Sequence, residues 1–292
     1  MEPSLVTGTL KTQASGQLFF RRWTPDCRSK GTIVIAHGLG EHSGRYVHVG
    51  DFFARAGLAA VAFDLRGHGS SDGKPIFINC YRDYLDDLES VIAHLESSEP
   101  LILFGHSLGG QLVLAYAQSG KGPPAGYIAA SPWLGLSRPP AVWLEGMARI
   151  LNLAYPAWRF PTGIASDDTS RDRDFLDSFP DLGKGHQFIT VRTYVEVIKM
   201  SRKLMARPSA NAPVLLTHGE NDSVTSIDAT RAYFEKLIAP SKTFISYPEA
   251  RHELHNDLVR DTVLKDYLEW INAKSAFTQT VFPAPAANPT SS

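Results

Sequence analysis

Leu101 to Phe104 is an apolar run that rises straight into Gly105-His106-Ser107-Leu108-Gly109, and Gln111 to Gln118 follows without a strand breaker. A strand, a sharp turn at a serine and a helix, in that order, leave few folds open. The turn needs a strained backbone that lifts the hydroxyl clear of the sheet, and the flanking glycines let strand and helix approach without a Cβ clash. The pentapeptide alone recurs by chance; its strand–turn–helix setting is what gives it meaning. Ser107 therefore reads as a nucleophile, with the N–H of Leu108 at the helix start aimed at a developing oxyanion.

A serine nucleophile needs a base and a group to orient the base. In open α/β sheets with this turn the order along the chain is serine, acid, histidine, each in a loop after a strand. Pro213 to His218 reads as a buried strand running into Gly219-Glu220-Asn221-Asp222. Ala229 to Ile238 reads as a helix, Lys242 to Tyr247 as a strand, and His252 follows Pro248-Glu249-Ala250-Arg251. Asp222 and His252 are the predicted acid and base. Glu220 comes too early on its turn, Asp228 belongs to the following helix, and His255 falls inside the segment predicted as the last helix. Upstream, Thr32 to Ala36 is a fully apolar, β-branched strand that ends in His37-Gly38-Leu39-Gly40. The N–H of Leu39 is the expected second oxyanion donor. As a dinucleotide or phosphate loop this stretch fails, for it lacks the third glycine, and no G-x-x-x-x-G-K-[ST] occurs.

Together, His37-Gly38-Leu39-Gly40-Glu41-His42-Ser43-Gly44-Arg45-Tyr46, Asp64-Leu65-Arg66-Gly67-His68-Gly69-Ser70-Ser71, the Ser107 turn and Arg251-His252-Glu253-Leu254-His255 resemble the monoacylglycerol lipase and lysophospholipase group of α/β-hydrolases, the serine aminopeptidase S33-like hydrolases, over residues 18–272. The resemblance implies an α/β-hydrolase fold, with Glu41, Arg45 and His255 as polar groups around a glycerol head-group pocket. It also marks a departure: Leu176-Asp177-Ser178-Phe179-Pro180 has leucine where relatives carry a tyrosine. One hydroxyl fewer weakens recognition of a polar head group.

Strands and helices alternate on both sides of one interruption, which predicts a mostly parallel central sheet with helices on both faces. Phe19 to Trp23 reads as an early antiparallel strand, 58–64 as a strand, and 45–56, 81–97 and 255–272 as helices. Residues 1–133 and 209–274 form the predicted core. The alternation stops between, where Pro139, Pro140, Pro156, Pro161, Trp133, Trp143 and Trp158 accompany the helical spacing Leu144-Met147-Leu151. Residues 134–208 are therefore the expected helical cap, lid of an apolar tunnel. Residues 275–292, rich in proline and small residues and without charge, are an expected disordered tail.

A net charge of −1 provides no basic footprint, which excludes nucleic acid as the expected partner. Two cysteines without a C-x-x-C exclude a disulfide scaffold. H-E-x-H at His252 lacks the spacing of zinc hydrolases, so no metal and no cofactor is expected. His37, His68, His106 and His218 read as strand-end or turn rings bonded to backbone. Residues 1–17 lack an apolar signal core, and no run is long enough to span a membrane, so a cytoplasmic protein is expected, with at most transient membrane-surface contact through the cap. The expected activity is serine-dependent hydrolysis of monoacylglycerols or similar single-chain lipid esters through an acyl-enzyme. The alternatives are a lysophospholipase, a small-ester esterase, an aminopeptidase-like hydrolase in which Asp167, Asp168, Asp172 and Asp174 hold an amine, and a non-catalytic ligand-binding protein of the same fold.

Overall fold

The computed structural model describes residues 2–12, 16–95, 99–122, 124–179 and 188–274, so the expected tail at 275–292 lies outside the described residues. β1 (Ser4–Lys11), β2 (Gln17–Thr24), β3 (Thr32–Ala36), β4 (Ala59–Phe63), β5 (Leu101–His106), β6 (Gly126–Ala130), β9 (Val214–Gly219) and β10 (Lys242–Tyr247) form an eight-stranded sheet in the order β1-β2-β4-β3-β5-β6-β9-β10. β1 pairs antiparallel with β2, and β2 antiparallel with β4; every other pairing is parallel. The hairpin strand β1 is longer and earlier than the single antiparallel strand expected. Its Ser-Leu-Val-Thr-Gly-Thr-Leu-Lys pattern is mostly exposed, so it lacks the apolar run that marks the inner strands.

The inner strands are buried on both faces, and alternation splits their side chains between two cores. Ile33 and Ile35 share one core with Val49 and Phe53 of α1 (Val47–Arg55) and with Val263, Leu264 and Tyr267 of the C-terminal helix. Val34 and Ala36 share the other with α2 (Arg82–His94) and α3 (Leu108–Ser119). Between β6 and β9 the chain leaves this sheet. It forms α4 (Val142–Ala154), β7 (Arg159–Pro161), α5 (Ser166–Thr169), α6 (Arg173–Asp177), β8 (Phe188–Thr190) and α7 (Val191–Ala206), with β7 and β8 as a separate antiparallel pair. α8 (Ile227–Lys236) and α9 (Arg260–Asn272) complete the core. The last helix starts later than expected: His255 lies in a short 3₁₀ turn, Leu254–Asn256, ahead of it.

Chain order reverses at β3: β4 lies on one side of it and β5 on the other. Such a switch point opens a crevice at the carboxyl ends of the strands. One row of strand partners runs Phe63, Ala36, Gly105, Ala129, Leu216, Phe244. Leu39, Ser107, Asp222 and His252 all come shortly after this row, on the same edge.

Candidate active site

Ser107 holds φ 53° and ψ −112°, a left-handed backbone that costs a non-glycine residue about 1–3 kcal/mol. Its neighbours enforce it. The Ser107 N–H donates to Ala130 O (3.0 Å), and its carbonyl accepts from the N–H groups of Gln111 (2.9 Å) and Trp133 (3.0 Å). A Cβ on Gly105 would stand 2.1 Å from Gly109 O, and one on Gly109 would stand 2.0 Å from Ala36 O. Both glycines of the motif are thus required by close approach. The loop after β3 comes equally near: a Cβ on Gly38 would lie 3.2 Å from Ser107 Cβ. Among the described residues no group accepts from the N–H of Leu39 or of Leu108, so both donors are open to a ligand oxygen.

Asp222 follows β9 in a turn that its own carboxylate closes, Oδ1 accepting from Val224 N (2.8 Å) and Thr225 N (2.9 Å). His252 Nδ1 donates to Oδ2 at 2.8 Å, which leaves its Nε2 for the serine side. Burial opposes the Asp222 charge and is the largest single effect, yet the neighbouring His252 and the bonds from His218 and His252 together hold the carboxyl well below the usual range. For His252 burial likewise favours the neutral ring and is the largest single effect, but the charge and hydrogen bond of Asp222, with Glu253 and Glu41, together raise the imidazole above its ordinary value.

Two further groups on Asp222 escaped the sequence reading. Thr225 Oγ1 reaches Oδ2 at 2.9 Å, and His218 Nε2 stands 3.1 Å from Oδ2 and 3.1 Å from Thr225 O. A histidine near the end of a mostly apolar strand was the available signal. For His37, His68 and His218 the backbone role holds, at 2.7 Å to Gly38 O, 3.0 Å to Arg66 O and 3.1 Å to Thr225 O. His106 departs from it, with Nε2 3.4 Å from Glu41 Oε1.

The three expected head-group residues divide. Ser107, His252, Leu39, Glu41, Trp133 and Thr225 border a cavity of about 30 Å³, but Arg45 and His255 do not. Both are fully buried behind it. Arg45 makes a close ion pair with Glu253, lies 3.9 Å from Glu41 and packs over the rings of Phe175 and Phe179. It ties the loop after β3 to the residue next to His252. His255 stacks on Tyr46, ring centroids 4.6 Å apart; burial first, then His106, hold its imidazole well below the ordinary value. Burial, then the nearby Glu253, push Glu41 up to about 8. Burial thus favours the neutral form of the Glu41 carboxyl where it faces the cavity.

The small cavity leads outward. It shares Leu39, Trp133, Leu136, Ile164 and Val224 with a second cavity of about 130 Å³. That one shares Leu136, Arg138, Phe160, Thr162 and Tyr194 with a third, of about 410 Å³, whose further walls include Leu144, Met147 and Leu151 of α4. The walls of the third cavity are mostly apolar, with Arg138, Thr162 and Tyr194 as the polar exceptions.

A family model described as serine aminopeptidase, S33, matches residues 28–259. A monoacylglycerol lipase of Mycolicibacterium smegmatis is 29% identical over 255 residues, covering 85% of this chain and 90% of the relative. The crystal structure of Paleococcus ferrophilus monoacylglycerol lipase superposes with a TM-score of 0.79 at 29% identity, covering 94% of this chain and 100% of that one. An abhydrolase domain-containing protein of Dictyostelium discoideum is 30% identical over 272 residues, and this chain spans 29% of its length. The elbow at Ser107, the sheet order and these likenesses agree: the chain belongs to the serine aminopeptidase S33 family, as a monoglyceride-lipase-like α/β-hydrolase.

Proposed function

We propose that the protein is a serine carboxylester hydrolase that cleaves monoacylglycerols, or similar single-chain lipid esters, to fatty acid and glycerol. The observation that carries this reading is the line of cavities that begins at Ser107 and His252 and ends in an apolar chamber of about 410 Å³. In this reading His252 Nε2 takes the proton of Ser107 as Oγ attacks the ester carbonyl. The N–H groups of Leu39 and Leu108 hold the oxyanion, and Asp222 keeps the imidazole in the tautomer that presents Nε2. Collapse expels the glycerol oxygen, which takes the proton back from His252 and leaves an acyl ester on Ser107. Water repeats the cycle and frees the fatty acid.

Glu41 supports a neutral head group, since an un-ionised acid both donates and accepts towards a diol. Arg45 and His255 act on the head group only through Glu41 and the loop that carries it. Arg138 borders the two outer cavities, and this favours the lysophospholipid alternative with its anionic phosphate. The aminopeptidase alternative needs carboxylates free for an amine. Asp167 pairs with Arg173, Asp168 accepts from Ser223 and Ala165, and Asp172 caps α6 and pairs with Arg260. Those acids fasten the insert to itself and to the core.

α4 has no buried residue and presents Val142, Trp143, Ile150 and Leu153 to solvent above the apolar chamber, which supports transient contact of this face with a lipid surface. Purified protein should be compared on decanoylglycerol, decanoyl lysophosphatidylcholine, p-nitrophenyl esters and proline naphthylamide. The proposal expects the highest kcat/KM among the natural esters on decanoylglycerol. A higher value on the lysophospholipid, or turnover of the naphthylamide alone, overturns it.

A further inference from the structure

The carboxylate assigned to orient the catalytic histidine carries a second imidazole. His218, the last residue but one of β9, has no solvent exposure, and its Nε2 lies 3.1 Å from Asp222 Oδ2 and 3.1 Å from Thr225 O. Both neighbours are acceptors, so Nε2 bears the proton and donates. Oδ2 is also the oxygen that accepts from His252 Nδ1 at 2.8 Å and that Thr225 Oγ1 reaches at 2.9 Å. Donors crowded on one oxygen compete for its charge. Whatever His218 takes, His252 loses.

We propose that His218 is a positioning residue of the acyl-transfer site: it fixes the plane of the Asp222 carboxylate and, by sharing Oδ2, limits how tightly His252 holds a proton. The inference rests on the reading of Ser107, His252 and Asp222 as the reacting group. Packing alone does not account for a histidine here, because leucine or phenylalanine would fill the end of β9 without burying a polar ring. The geometry instead spends both of its near contacts on the acid turn, one on the carboxylate and one on the carbonyl of Thr225.

The other groups that face His252 are Glu41 from the loop after β3, His106 from the end of β5, with ring centroids 4.6 Å apart, and Glu253 beside it. Asp168 of the insert and Arg251 lie near the acid turn, Asp168 bonding Ser223 and Arg251 the carbonyls of Asp167 and Ser170. None of these changes in a His218 variant. With the His218 donor gone, Oδ2 has more charge for His252, the imidazolium is held more firmly, and the base becomes free only at higher pH.

The test is the pH dependence, from pH 5 to 9, of fluorophosphonate inactivation and of p-nitrophenyl butyrate kcat/KM for the full chain, His218→Phe and His218→Gln. The glutamine amide keeps a donor near the place of Nε2. The expected result is an acid limb displaced upward by about half a pH unit or more in His218→Phe, the worth of a modest net hydrogen bond. The plateau falls as well, and His218→Gln stays near the parent. A limb that is unmoved or displaced downward in His218→Phe, or moved as far in His218→Gln, overturns the proposal; a lowered plateau alone means a packing role. If His218→Phe loses its near-ultraviolet circular dichroism, His218→Asn, whose amide stops short of Oδ2, takes its place with the same expectation. Failure of the unsubstituted chain to label at Ser107 rejects the underlying triad reading, a result separate from either pH outcome.

Discussion

Arg45 sits in a dry cluster with two carboxyl groups, and replacing it by methionine keeps its length while removing the compensating charge. Glu253 would then keep the Asn256 amide at 2.7 Å, and Glu41 the Tyr46 hydroxyl at 2.9 Å and His106, without the Arg45 cation beside them. Removing one partner of a buried pair costs about 3–5 kcal/mol, because the charge left behind has no water to turn to. A domain of this size loses about 2–4 °C in its melting midpoint per kcal/mol. Arg45→Met should therefore lower the midpoint by about 6–20 °C at pH 7. The double variant Arg45→Met/Glu253→Gln removes the charge together with its partner and should recover more than half of that loss. Thermal unfolding followed by near-ultraviolet circular dichroism, at fixed protein concentration, measures both. An Arg45→Met midpoint within about 2 °C of the parent, or a double variant less stable than the single one, would refute the picture of a charge-matched tie between the loop after β3 and the loop that carries His252.

Glu41 stays protonated in the folded chain to about 8, through burial and then Glu253, against 4.5 for an ordinary glutamate. Between those values the folded state binds the extra proton, so stability falls as pH rises, by up to about 1.4 kcal/mol per unit. Glu41→Gln should flatten that slope in urea midpoints taken at pH 5, 6.5 and 8; an unchanged slope contradicts the assignment. Ala148 lines the outer chamber, and Ala148→Trp should remove the gain in kcat/KM with acyl length, about fourfold per buried CH₂, while leaving butyrate turnover near normal. Equal losses on butyryl and decanoyl esters would count against an acyl tunnel. Trp143→Ser/Ile150→Ser on the exposed face of α4 should reduce sedimentation with phosphatidylcholine vesicles without changing p-nitrophenyl butyrate hydrolysis, and undiminished sedimentation would refute lipid contact through α4.

What could be read in the sequence was local. The Ser107 turn, its glycines and the strand before it lie within a few residues of one another, and β3 to β6 announce themselves by apolar runs. Asp222 and His252 followed from chain order, because each sits just after a strand. Contacts between distant segments were not legible. Arg45 and Glu253 are separated by 208 positions and Asp168 and Ser223 by 55, so a residue that resemblance placed around a head group, and an acid weighed as holding an amine, found partners no pattern displays. The hairpin strand β1 escaped because its pairing is with Gln17–Thr24 and its face is wet. His218 escaped because a strand-end histidine next to a glycine has an ordinary reading, and only the fold brings Asp222 back onto it.

The central claim is that Ser107 carries the acyl group of a lipid ester between glycerol and water. Fatty acid release from decanoylglycerol, measured for the parent and for Ser107→Ala with intact-mass detection of fluorophosphonate adducts on the same preparations, tests it most directly. The account predicts a single adduct that maps to Ser107, none in Ser107→Ala, and a rate lower by about 10⁴–10⁶-fold in that variant. Adduct formation at another serine, or fatty acid release by Ser107→Ala within tenfold of the parent, would contradict it.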